Sequence, residues 1–321
     1  MKAVDRWLGK ADSWQRTHRF TAVTYAVTKK FGEDGANQFV VGLGWYGFVA
    51  IYPLLLVVVT VFGFIGAPAL GHHVVSTLHE FPVVGTQFNP QRGSSSLHGS
   101  TVGLIVGLIG LLYGAQGVTQ TAQRAMVKVW NIPQLDVPGF LPRMARSFAG
   151  LATIGGTFVL NAATATFATS SGVGSLVRVP VLVGLVAMNV ALYLLAFRVL
   201  TPADIATRAL LPGAAVAATG FTLLITLGSG LVQHQVRNSS ATYGQFGIVI
   251  GLVSFLLLLA KISLYGAELN AVLAWRLWPR AMRPGNPTEA DDHVMHDIPR
   301  EPLGRQDQQI GVGLGDRAPS D

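Results

Sequence analysis

Cysteine is absent from all 321 residues, so disulfides, thiolate nucleophiles and cysteine-based zinc sites are excluded. Charge is scarce as well. Only 12% of the residues are Asp, Glu, Lys or Arg, about half the share of an average soluble domain, which is roughly 25%. Neither an HExxH pair nor a GxxxxGK[ST] loop occurs, so zincin chemistry has no scaffold and any transport would not draw on ATP bound to this chain. Residues 1–38 hold no apolar core of signal-peptide type, and the first hydrophobic span is expected to serve as an uncleaved insertion signal.

What the chain has is apolar length. Half its residues are hydrophobic and its mean hydropathy is +0.45. A bilayer core takes about 20 mostly apolar residues per helix. Stretches of that kind lie at 39–67, 101–120, 146–169, 179–200, 209–232 and 246–269. The purely apolar part of the second ends near Ala115. The expected fold is therefore all-α, a polytopic membrane protein of six transmembrane helices preceded by an N-terminal interfacial helix. Its parts would be a cytoplasmic segment over 1–38, a membrane domain over 39–273 and a largely disordered cytoplasmic tail over 274–321.

The net charge of +7 and the pI near 9.9 invite a nucleic-acid reading, which the placement of the charges opposes. With both termini inside, the outer loops hold only Arg92, Arg178 and Arg237. Lys261 lies within the sixth span, and the rest of the 23 Lys and Arg fall on the cytoplasmic side. That is the positive-inside asymmetry of a multi-span membrane protein. The expected partners are membrane lipids, with anionic headgroups at the cytoplasmic face, and not nucleic acid.

Within residues 13–36, Phe20, Val23, Val27 and Phe31 fall at helical spacing, with Arg16, Arg19, Lys29 and Lys30 as cationic anchors for a helix lying on the membrane. Pro53 sits mid-span in the first helix, where it removes a backbone hydrogen bond and kinks the chain, for packing or to shape a cavity. The outer loop carries His72, His73, His79 and His98 beside a single carboxylate, Glu80. Without zinc-site spacing these read as solvated histidines, and no metal is expected. Gly103, Gly107 and Gly114 in the second span, and Gly247 and Gly251 in the sixth, form small-residue ridges for close helix packing. Trp275–Trp278 with Arg276 reads as an interfacial belt closing the last span.

Four motifs in order on this pattern resemble the YihY/BrkB family of bacterial inner-membrane proteins, once labelled ribonuclease BN-like. Leu43-Gly44-Trp45-Tyr46 with Tyr52-Pro53-Leu54-Leu55 is similar to its aromatic-then-proline entry. Ala122 to Trp130 (AQRAMVKVW) matches in the connection expected after the second span. Leu211-Pro212-Gly213-Ala214 opens the fifth span. The sixth opens on Tyr243-Gly244 and Gly247 and closes on Gly266-Ala267-Glu268-Leu269-Asn270-Ala271. The chain looks closest to the YhjD-type branch, associated with lipid and envelope export. The family usually has a Trp-x-Tyr pair where Phe255 and Leu257 stand, and an apolar residue in place of Lys261, so a role for Lys261 does not come from the resemblance. What it implies is six helices, an N-terminal interfacial helix and an inner-membrane location, in a candidate transporter.

Candidate substrate or coupling residues are Glu268, Lys261, Asn270, Tyr243, Arg124, Lys128 and Arg208, with Pro53 as the helix kink. A charge inside a bilayer-length helix costs about 2.5–3.5 kcal/mol on insertion scales. Lys261 and Glu268, seven residues apart, would share one face about 10 Å apart along the axis. Leu264, Tyr265, Ala271 and Val272 flank Glu268 at helical spacing and offer no cation. Its partner is therefore expected elsewhere, with Arg124, Lys128 and Arg208 as candidates. Read as a lock, Glu268 ties helix ends together; read functionally, it faces a polar path. Asn161 and Asn189 add polar groups at membrane depth, ordinarily helix–helix contacts. No catalytic residues and no cofactor are expected: the chain offers no metal cluster, no His/Asp pairing at catalytic spacing and no basic-aromatic platform for RNA. The reading is a transporter or flippase-like protein for an amphiphile, with a non-transporting envelope structural or assembly protein as the alternative.

Overall fold

The computed structural model describes residues 12–64, 101–132, 142, 145, 149–150, 175–201, 204–239, 244–282 and 287–297. Among these every regular element is helical. The principal helices are α1 (Arg19–Glu33), α2 (Ala36–Phe64), α3 (Thr101–Val129), α4 (Ser175–Leu200), α5 (Thr207–Ser239), α6 (Gly244–Ala274) and α7 (Glu289–Asp297). A helical turn over 12–17 precedes them.

The pairing of α2 with α3 follows from the glycines. A Cβ at Gly107, Gly110, Gly114 or Gly117 of α3 would collide with Val57, Pro53, Ala50 or Tyr46 of α2. Those four partners recur at helical spacing on one face of α2, so small residues let the two axes approach along their length. Gly107 and Gly114 thus play the packing part expected of them, joined by Gly110 and Gly117. Pro53 points its ring at Gly110.

Helix α6 is central, packing against α1, α2 and α5, while α4 lies on α5. Its end is closed by backbone geometry. Arg276 takes a left-handed φ of 55°, and the Leu277 amide reaches back to the Val272 carbonyl at 3.0 Å. The same device ends α3, with Asn131 at φ 41° and the Ile132 amide on the Val127 carbonyl at 2.9 Å. Each is a Schellman closure, satisfying carbonyls that have no partner within the helix and tucking an apolar residue beneath. Trp130 and Trp275, next to these closures, meet edge to face with centroids 5.5 Å apart. The ends of α3, α4 and α6 and the start of α5 therefore converge at one end of the bundle, around Met126, Trp130, Phe197, Leu210 and Ala271.

Three described helices are long and apolar enough to cross a membrane, at Leu104–Val129, Thr207–Ile225 and Val249–Ala274, and Val186–Leu200 is a shorter apolar stretch. Nearly all of the expected third span, 146–169, lies outside the described residues, as do the loop histidines, Asn161 and Tyr243. The second span differs from expectation. The helix runs on through AQRAMVKVW to Val129, so that motif forms its last turns and not a connection.

The helix expected at the membrane surface and the stretch after Pro279 both pack on the bundle. In α1, Ala22, Ala26, Val27, Lys30 and Phe31 are buried against it, whereas Phe20 is 83% exposed. The stretch after Pro279, expected to be largely disordered, folds back over α1 at 279–282 and 287–297. Arg280 clamps Glu33 at 2.8 Å and Asp291; Asp291 takes Lys29 at 2.8 Å, the Ala281 amide at 2.8 Å and the Thr288 hydroxyl at 2.8 Å. Gln15 donates to the Arg280 carbonyl at 2.6 Å, and Asp12 accepts from the Met282 amide at 3.1 Å. This clasp holds α1 from outside.

Candidate functional site

One stripe of α6, Tyr265, Glu268, Leu269 and Val272, is covered by α1. Phe31 stacks on Tyr265 with ring centroids 4.2 Å apart, and Ala26 and Val27 pack around Val272 and Leu277. Between these two apolar contacts Lys30 meets Glu268, its Nζ 3.0 Å from Oε2.

Lys30 is 2% exposed and Glu268 not at all. The ammonium is satisfied twice more, donating to the Asp34 carboxylate and, at 2.9 Å, to the Val129 carbonyl. Val129 ends α3, where carbonyls are left over and the helix dipole is negative, so a cation there is favourable. Asp34 reaches the same point because α1 stops on it. Its amide bonds back to the Lys30 carbonyl at 2.9 Å, and Gly35, at φ 63°, turns the chain into α2. A left-handed φ is one that glycine takes at no steric cost.

The site thus gathers one ammonium and two carboxyl groups, which also face each other. Burial pushes the Asp34 carboxyl above its ordinary value; Lys30 opposes this most strongly, and Lys128 does so from further off. Neither oxygen of Glu268 accepts a hydrogen bond of good geometry, although both are shut off from solvent. A buried carboxyl group in that state is costly.

The opposite face of α6 makes a second polar contact. Gly266 and Gly213 stand back to back where α6 crosses α5: a Cβ on Gly213 would run into the Gly266 carbonyl oxygen, and one on Gly266 would lie 2.6 Å from the Gly213 oxygen. There the Gly213 amide donates to Asn270 Oδ1 at 2.6 Å. Two motifs far apart in sequence, LPGA and GAELNA, are one junction in space. On α4, Tyr193 and Ser263 of α6 share a hydrogen bond at 3.1 Å.

Of the candidates named from sequence, Glu268 and Asn270 are buried on different faces of one helix and do not meet. Lys261 is exposed, so it does not share a polar stripe with Glu268. The shared helical angle is real, but α1 covers only the turns from Tyr265 onward. The cation at Glu268 is Lys30, and not Arg124 or Arg208, both of which are exposed on their helices. Lys128 is half-buried nearby, its charge felt at Asp34. Tyr243 lies outside the described residues.

Lys30 and Asp34 are the residues that sequence reading missed. A signal for them was present: Lys30 falls between Val27 and Phe31 on the apolar stripe of α1, four residues from Asp34. A cation on the buried face of an amphipathic helix needs an anionic partner across the interface. Its burial also overturns its expected part as a membrane-surface anchor.

A family model, described as virulence factor BrkB, matches residues 27–291, which include Lys30, Asp34, Gly213, Glu268 and Asn270. No curated protein and no solved structure matches the chain.

Proposed function

The chain belongs to the BrkB virulence-factor family, and on that premise we propose that it is a six-span transporter or flippase-like protein of the bacterial inner membrane. Both termini would lie in the cytoplasm, with the Lys30 site at the cytoplasmic end of the bundle. The substrate would be an amphiphile with an anionic headgroup, such as an envelope lipid, in keeping with the likeness to the YhjD-type branch.

The observation that carries this reading is the charged cluster of Lys30, Asp34 and Glu268, buried where α1 covers the apolar helix α6. Apolar side chains of similar volume often hold helices together as well as, or better than, a buried ion pair. An ionisable residue within a membrane-length apolar helix, as Glu268 is, ordinarily marks an ion or substrate path. Arg124, Lys128 and Arg208 lie towards the same end and would meet the headgroup as it enters. The chain would work as a carrier and not as an enzyme.

A second reading has its own support. The cluster is tightly enclosed, and Asn270 binds α6 to α5, which suits a rigid scaffold for envelope assembly that moves nothing. Reconstitution into vesicles separates the two. Lipid or solute flux should require the protein and fall in Glu268→Gln at unchanged folded level. Wild-type protein that moves no amphiphile would leave the scaffold reading standing.

A further inference from the structure

The Lys30 cluster holds three buried ionisable groups, and their charges do not cancel. Lys30 offers one positive charge between Asp34 and Glu268. From α3 comes Lys128, half-buried, acting on Asp34, together with the Val129 carbonyl, which takes one of the Lys30 hydrogens. α6 also brings Tyr265, occupied in stacking on Phe31. The first turn of α2, Ala36 to Val40, has no titratable side chain. Two ionised carboxylates in contact repel strongly, and such pairs retain one proton between them.

The hydrogen-bond pattern points the same way. Lys30 uses two of its donors on Asp34 and Val129, and although its Nζ lies 3.0 Å from Glu268 Oε2, neither oxygen of the fully buried Glu268 accepts a hydrogen bond of good geometry. A proton held by one carboxyl group and shared with the other supplies the missing donor.

We propose that Asp34 and Glu268 form a carboxylic acid–carboxylate pair that binds one exchangeable proton, with Lys30 as its fixed counter-ion, and that this pair is the coupling site of the transporter. The role in coupling rests on the transport reading above; the proton site does not. Binding takes one proton from water onto a carboxylate oxygen, and release returns it to water. Release requires that α1 lift from α6, since the pair is sealed by Phe31 on Tyr265 and by Val27 against Val272.

The test is infrared spectroscopy of the full-length protein in lipid nanodiscs, read at the carbonyl stretch of a neutral carboxyl group. Near neutral pH the wild type should show this band, and it should shift in heavy water. The band should vanish in Glu268→Gln and equally in Asp34→Asn, because the remaining carboxylate then has Lys30 to itself. It should be unchanged in Asp291→Asn, whose carboxylate belongs to the clasp. A wild type without the band overturns the proposal, whatever the variants do, as does a band that survives in either Glu268→Gln or Asp34→Asn. Flux under an imposed pH gradient separates this result from the function. The band pattern without any flux keeps the proton site and removes the transporter. Flux with no band and no response to the gradient keeps the transporter and removes the proton site.

Discussion

The backbone amide of Gly213 donates to Oδ1 of Asn270 at 2.6 Å, where α5 and α6 approach closely at Gly213 and Gly266. The two helices touch backbone to backbone there, because Gly213 and Gly266 carry no side chains to hold them apart. Asn270 therefore turns a close contact into a specific one. A helix pair held only by dispersion can slide; pairing a buried amide with its acceptor favours one register.

Adding one carbon at this junction should be costly. Gly213→Ala puts a Cβ against the Gly266 carbonyl oxygen and 2.6 Å from Asn270 side-chain atoms, and overpacking of this kind costs about 1–3 kcal/mol. Gly32→Ala in α1 meets nothing within 4 Å and should be neutral or gain up to about 1 kcal/mol from helix propensity. Thermal unfolding in detergent reads both. Equal effects from the two substitutions would mean that the crossing is looser than the structure has it.

Lys30 is the keystone of the charge cluster. Lys30→Met strands two buried carboxyl groups, and breaking a buried pair from one side costs about 3–5 kcal/mol. Adding Glu268→Gln to Lys30→Met should recover part of that loss, so the double variant should be more stable than the sum of the single effects. Strict additivity in detergent unfolding would show that Lys30 and Glu268 do not interact. By contrast Arg198–Asp204 joins exposed side chains, and Asp204→Asn should leave stability within about 0.5 kcal/mol of wild type.

Acid should open the clasp before the bundle. Burial alone would raise Asp291, but Lys29, the Ala281 amide, Arg280 and Thr288 outweigh it and hold its carboxyl well below the ordinary 3.8. A folded-state pKa lowered in this way contributes stability that is complete above the unfolded value and is lost as pH falls through the folded one. Hydrogen exchange at 279–282 and 287–297, corrected for intrinsic rates, should therefore accelerate below about pH 4, the unperturbed range of an aspartate. Asp291→Asn should show fast exchange there even at neutral pH. A segment equally protected in that variant would assign its docking to the apolar contacts of Leu277 and Val294 instead.

Topology can be read chemically because the chain has no native cysteine. Ser95→Cys and Ser240→Cys should each react with an impermeant thiol reagent from the outer side of the membrane. Labelling of either position only after the cytoplasmic face is opened would contradict the orientation drawn from the Lys and Arg distribution.

Much of the fold was legible from local rules. The all-helical character, the apolar lengths at 101–120, 209–232 and 246–269, and the packing use of Gly107 and Gly114 all follow from composition and spacing. Glu268 stood out because a carboxylate near the end of an apolar helix is expensive wherever that helix goes, and the absence of a cation at helical spacing already implied a distant partner. The end of α3 was misjudged because hydropathy falls after Ala115 while the helix continues to Val129 on tertiary contacts.

By itself, then, the sequence determined that the chain is helical over its described residues, that the stretches beginning near 101, 209 and 246 are apolar enough for a bilayer, and that Glu268 needs a cation. Periodicity, composition and the cost of burying charge act within a single segment, so they can be read one segment at a time. Only the tertiary structure decided that the cation is Lys30, 238 positions earlier in the chain, that Asp34 joins it, and that LPGA and GAELNA meet at Gly213 and Asn270. Those outcomes depend on which helix faces which and in what register. Local spacing can place Lys30 on the apolar stripe of α1, but only the neighbouring helix, here α6, decides which anion it meets.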